Sequence, residues 1–85
     1  MDDAPPARTS REVIGDIVAG LLRKKGRPLA APSDDLREAG LSSLDMVNLM
    51  LAVEDSFDLT LPQEKMTPEN FRSIDAIALT VAGLA

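Results

Sequence analysis

Gly40-Leu41-Ser42-Ser43-Leu44-Asp45-Met46-Val47-Asn48-Leu49-Met50-Leu51-Ala52-Val53-Glu54-Asp55 is the stretch around which this chain is organised. A glycine turn and two serines lead into an apolar-rich helix that ends near Phe57. Ser42 is a good N-cap, and Asp45 three residues on lies near the positive end of the helix. At about 100° per residue, Asp45, Asn48, Ala52, Asp55 and Ser56 form a polar strip roughly a third of the circumference wide. Met46, Val47, Leu49, Met50, Leu51, Val53 and Phe57 fill the rest. So apolar a helix is expected to be the most buried of the fold. Glu54 falls on the apolar side between Val47 and Met50, so we expect it at the core margin or paired with a base such as Arg72.

Working outward, Thr9 and Glu12 have the spacing of a capping box. Val13, Ile14, Ile17, Val18 and Leu21 follow at helical spacing. Gly26 and Pro28 stop this first helix, after Arg23, Lys24 and Lys25 have complemented its negative end. Residues 24–42 form a long connection in which Leu29, Leu36 and Leu41 are expected to act as anchors, with room for one helical turn at 34–39. Connections longer than about 12–15 residues are uncommon in compact domains and are often functional. Beyond the central helix, Thr67-Pro68-Glu69 is a strong helix start, but Ser73 reads as the next N-cap. Residues 68–71 are therefore expected to form one short turn of helix. Ile74, Ile77, Ala78, Val81 and Leu84 are the stripe of a last helix. No strand-like alternation and no repeat occur. The expectation is an all-α fold, a small four-helix bundle of three longer helices and one short one, with a long loop between the first two. Residues 1–8, polar with two prolines, are expected to be a disordered tail. Residues 9–85 then form one domain, and the short flanks suggest a free-standing protein.

Composition excludes several functions. The 85 residues contain no histidine and no cysteine. The commonest general base, the commonest metal ligand and all thiolate chemistry are therefore missing. Phe57 and Phe71 are the only aromatics, and both fall on faces that the helical pattern turns inward, so no platform for stacking bases can be built. Nine Lys and Arg stand against fourteen Asp and Glu, a net charge of −5. That argues against nucleic acid and anionic membranes and suits a basic protein partner. Glu38, Asp45, Glu54, Asp55, Asp58 and Glu64 lie in a stretch with no Lys or Arg, so the negative charge is concentrated in the central third. There is no signal peptide pattern and no apolar run near the ~20 residues of a membrane span. A cytoplasmic monomer is the expectation.

These residues resemble an acyl carrier protein, a phosphopantetheine-dependent carrier. That family has an attachment serine in an Asp-Ser-Leu motif at the start of its second helix, and Gly40-Leu41-Ser42-Ser43-Leu44-Asp45 is similar to it. The likeness runs on through Val47-Asn48-Leu49, Glu54-Asp55-Ser56-Phe57-Asp58 and Leu61-Pro62, and resumes at Phe71-Arg72-Ser73-Ile74. The resemblance implies 4′-phosphopantetheine, taken from coenzyme A, on Ser43. It also implies a carrier that is not itself an enzyme. A phosphopantetheinyl transferase would modify it, an acyl or amino acid:carrier protein ligase would load it, and a downstream transferase would unload it. Leu44, Asp45, Met46, Glu54 and Asp55 would be the surface such partners read. Two departures point to a specialised carrier. Ser42 stands where an acid usually precedes the serine, and Asn48 and Met46 thin the acidic face. Residues 39–43 together with 47–55 and 71–74 look similar to carriers loaded with amino acids by free-standing ligases.

Each feature also has a plainer reading. Ser43 can be a helix cap and nothing more, and Ser42 competes with it for the modification. Asp45, Asp55 and Asp58 can be an ordinary solvated face. Met46 and Met50 can be plain core, although methionine can yield to an inserted acyl chain. The competing function is an unmodified helical interaction module. Adjacent acids such as Asp34–Asp35 do not face each other on a helix, and no metal-ligand spacing is present.

Overall fold

The computed structural model describes residues 9–84; the expectation for residues 1–8 lies outside that range. The described residues form four α-helices and one 3₁₀ turn, with no strand among them. The helices are α1 (Ser10–Lys24), α2 (Leu36–Ala39), α3 (Ser43–Phe57) and α4 (Ile74–Leu84), and the 3₁₀ turn is Gln63–Lys65.

The ends of α1 follow from its sequence. The Thr9 amide donates to Glu12 Oε1 at 2.9 Å and the Glu12 amide to Thr9 Oγ1 at 3.2 Å, the reciprocal box that the spacing suggests. At the other end Gly26 takes a positive φ of 69°. The amides of Gly26 and Arg27 donate to the carbonyls of Arg23 and Leu22, at 3.0 and 2.9 Å. This Schellman closure satisfies carbonyls that the helix leaves open, and glycine adopts its left-handed residue without a Cβ clash.

Ile14, Val18 and Leu22 turn one face of α1 inward, where α1 packs against both α3 and α4. Met46, Leu49 and Val53 answer from α3, and Ile74, Ile77 and Val81 from α4. Each such side chain, once buried, contributes about 1.5–3 kcal/mol of transfer free energy. Ser73 caps α4 by accepting from the Ala76 amide at 3.1 Å, as its position suggests.

The long connection is fixed differently from the expectation. Leu36 and Leu41 are buried, but Leu29 is 69% exposed and anchors nothing. Backbone bonds take its place. The Leu36 amide donates to the Arg72 carbonyl at 2.8 Å, and the Asp75 amide to the Pro32 carbonyl at 3.0 Å. They tie the connection to Arg72, just before α4, and to the first turn of α4 itself. The short helix is therefore α2, capped by Asp35 on the amides of Arg37 and Glu38. Residues 68–71 make a single turn instead, closed by the Phe71 amide on the Thr67 carbonyl at 3.2 Å. Thr67 Oγ1 takes the Asn70 amide there.

One expectation for the central helix is corrected. It is not the most buried helix: Leu44, Val47 and Leu51 are 69%, 50% and 58% exposed. A three-helix core this small can cover only one side of α3, and small domains bury a smaller share of their surface than large ones. Glu54 lies half-buried at the core margin, the first of its two expected placements, and does not pair with Arg72. Its Oε2 accepts the Leu61 amide at 2.7 Å, which turns the chain after α3.

Candidate functional site

The two serines at the start of α3 have different surroundings. Ser42 is the N-cap. Its Oγ accepts the Asp45 amide at 3.1 Å while Asp45 Oδ2 accepts the Ser42 amide at 2.8 Å. Ser43 is the first residue of the helix and is exposed. Its hydroxyl has no hydrogen-bond partner among the described residues. The amides of Ser43 and Leu44, in the first helical turn, likewise have no acceptor among them, so this end offers donors and a favourable dipole to an anion.

Lys25 braces this turn from α1. Its Nζ lies 2.6 Å from Asp45 Oδ2 and donates to the Gly40 carbonyl at 3.2 Å. One ammonium thus joins the end of α1, the end of the long connection and the cap of α3. The hydrogen bond from Lys25, then that from the Ser42 amide, lowers the Asp45 carboxyl from 3.8 to about 2. Gly40, at φ 125°, is needed where the connection enters the site. A Cβ there would strike the Arg27 side chain.

The residues expected to read a partner are divided by the fold. Leu44 and Asp55 are exposed on the same side of α3, with Val47 and Leu51 beside them. Met46 is 9% exposed and belongs to the core. Asp45 is occupied by the cap and Lys25, and Glu54 by Leu61. Val47 and Leu51 are not among the residues expected on that surface from sequence, because the helical wheel puts them in the apolar arc expected to face the interior. Their spacing from Leu44, at i+3 and i+7, was a signal of one shared face.

Beside Ser43 opens a groove of about 380 Å³, floored by Met46, Met50, Met66 and Phe71. Arg37 and Arg72 stand on its rim with Asp35 and Glu69. The exposed hydroxyl, the open amides and the nearby guanidinium groups fit a phosphodiester at Ser43. No cluster of three or more metal-binding side chains occurs among the described residues. No helix there is long and apolar enough to cross a membrane.

Comparison with known proteins agrees with this geometry. A family model described as a phosphopantetheine attachment site matches residues 12–81. Aminoacyl carrier protein 1 of Bradyrhizobium diazoefficiens is 47% identical over 70 residues, covering 79% of this chain and 76% of the relative. The aminoacyl carrier protein of Agrobacterium fabrum is 45% identical over 51 residues, covering 60% of this chain and 61% of that protein. A similar chain occurs in the crystal structure of Bradyrhizobium japonicum glycine:[carrier protein] ligase complexed with glycylated carrier protein. Its TM-score is 0.73 at 40% identity, covering 84% of this chain and 96% of that one. A second crystal structure of that ligase, with its cognate carrier protein and an analogue of glycyl adenylate, contains a chain with a TM-score of 0.75 at the same identity. With the family model spanning most of its length and an all-helical carrier fold around the serine turn, this chain belongs to the family of carriers that bear 4′-phosphopantetheine.

Proposed function

We propose that Ser43 bears the 4′-phosphopantetheine arm and that the cargo is an amino acid, presented as a thioester to partner enzymes. The observation that carries the first half is the division of labour between the serines. The Ser42 hydroxyl is engaged by the Asp45 amide, whereas the Ser43 hydroxyl faces out of the first turn with no partner among the described residues. The aminoacyl carriers among the relatives, and the ligase seen with two of the similar chains, support the second half. The arm supplies a terminal thiol for the cargo. The chain's own residues hold Ser43 at a rigid helix start and offer the Leu44, Val47, Leu51 and Asp55 face to whatever docks.

On this reading the chain is not an enzyme. A phosphopantetheinyl transferase modifies it, an amino acid:carrier protein ligase loads it and a further transferase unloads it. It works as a cytoplasmic monomer whose carrier unit is residues 9–85. A tethered cargo meets each partner at high effective concentration.

The test is intact mass in two stages. Coenzyme A and a broad-specificity transferase should add one phosphopantetheine to the wild type and none to Ser43→Ala. The holo protein, given ATP, amino acids and such a ligase, should then gain one aminoacyl group. Addition to Ser43→Ala would overturn the site. Loading by an acyl-carrier synthetase with fatty acid, and never by the amino acid ligases, would overturn the cargo.

A further inference from the structure

We infer that Arg37 and Arg72 clamp the phosphodiester of the arm, so that the pantetheine portion rests in the groove between α3 and residues 66–72. This rests on the reading of Ser43 as the attachment residue. Three observations carry it. Ser43 itself lines the groove, so an arm rooted there starts inside it. The two arginines come from distant parts of the chain and are brought together by the backbone. Leu36, next to Arg37, donates its amide to the Arg72 carbonyl at 2.8 Å. Neither guanidinium is in an ion pair with a carboxylate among the described residues. Lys25 and Arg11 are paired, with Asp45 and Asp75 respectively.

Two like charges on one rim repel each other and favour an anion that bridges them. A phosphodiester has one negative charge and two free oxygens, which suits the planar donor fork of arginine. Of the two carboxylates on the rim, Asp35 already accepts from the Arg37 and Glu38 amides, and Glu69 makes no ion pair with either arginine among the described residues. Beyond the phosphate, the walls are Met46, Met50, Met66 and Phe71. That is a surface for the apolar parts of pantetheine, and methionine adapts to an irregular partner. The groove's volume falls within the range of sites that hold small molecules.

The arm would therefore alternate between a docked and a free state, and a partner enzyme would draw it from the groove by competing for its thiol end. The experiment compares apo and holo protein by NMR, after intact mass has confirmed one phosphopantetheine per chain. The expected result is that methyl signals of Met46, Met50 and Met66 and the Nε–H signals of both arginines shift between apo and holo. Arg37→Gln/Arg72→Gln is driven to one phosphopantetheine per chain, checked by intact mass, and in that holo form the methyl shifts collapse and the arm relaxes as fast as a free chain. Arg37→Lys/Arg72→Lys should restore part of the shifts, because it returns the charge without the fork. Circular dichroism of each variant should match the wild type, since both side chains are exposed. Holo protein whose shifts are confined to residues 42–46, or methyl shifts that survive in the glutamine variant, would overturn the clamp while leaving Ser43 as the site. Absence of any mass gain on the wild type would overturn both.

Discussion

Replacing the two adjacent serines one at a time separates stability from modification. Ser42→Ala removes the oxygen that accepts the Asp45 amide, leaving an orphan donor in the first turn of α3, but it keeps the bond from the Ser42 amide to Asp45. Loss of a serine cap costs about 1 kcal/mol, within a range of about 0.5–2. In a domain of this size that lowers the melting temperature by about 4–8 °C per kcal/mol. Ser43→Ala removes a hydroxyl with no partner among the described residues and installs a better helix former, worth up to about 0.5 kcal/mol in the other direction. The assay is thermal unfolding of the apo proteins by circular dichroism, followed by intact mass after treatment with coenzyme A and the transferase. Ser42→Ala should melt lower and still be modified, and Ser43→Ala should melt at or slightly above the wild type and stay unmodified. If Ser43→Ala melts as low as Ser42→Ala, the Ser43 side chain is structural and the assignment of roles fails.

Acid should weaken the fold through Asp45. Its folded carboxyl lies at about 2 against an ordinary 3.8, so the unfolded chain takes up the proton first. The stabilisation is complete above pH ~4 and is lost as pH falls towards ~2. Urea midpoints across that window should show this component in the wild type and not in Asp45→Asn. Asp58 ends α3 in the left-handed region at φ 51°, where an L-residue costs about 1–2 kcal/mol and an acid meets the negative helix end. Asp58→Gly should raise the urea midpoint and Asp58→Val should lower it; equal midpoints would deny that the strain is real. Leu49→Ala, at a fully buried position, should cost about 2–5 kcal/mol. Leu51→Ala on the exposed face should leave stability within about 0.5 kcal/mol yet slow loading by the ligase, as steady-state kinetics would show. Ligase association should depend only weakly on salt. A steep fall in its rate between low and moderate ionic strength would mean that charge, rather than the apolar face, guides docking.

Local signals in the sequence proved sufficient wherever the physics is local. The Thr9–Glu12 box, the Gly26 stop, the Ser42 and Ser73 caps and the phase that puts Ser43 at the helix mouth each depend on residues within four positions of one another. What the chain does across distance was not legible. Lys25 and Asp45 are twenty positions apart, and nothing in either neighbourhood announces the pair that braces the site. Leu29 has the composition of an anchor, but two backbone hydrogen bonds fix that connection instead, and amides carry no sequence signature. The groove beside Ser43 depends on Arg72 being brought next to α2 by a backbone bond, which no local pattern announces. The helical wheel also separates polar from apolar residues without saying how much of an apolar arc neighbours can cover. That is why Val47 and Leu51 were placed inside.

The acidic central third suggests a charged recognition face, but two of its carboxylates on α3 have work at home. Asp45 holds the cap and Lys25, and Glu54 holds the Leu61 amide. A carboxylate already satisfied by a backbone amide or an ammonium presents a weakened field to an incoming protein, and surface fields are screened within about 8–10 Å at ordinary salt. Of the three α3 carboxylates read as recognition residues, only Asp55 remains exposed. Leu44, Val47 and Leu51 are the larger exposed feature, in one row beside Ser43. Monomeric proteins seldom leave such a row uncovered without a use for it. An enzyme that must bind, react and let go is better served by a short apolar stripe than by an acidic cluster. The same segment thus divides its labour by side: the buried side of α3 carries the stability, the Ser42–Asp45–Lys25 brace fixes the first turn, and the exposed side is the one that the proposed partners would meet.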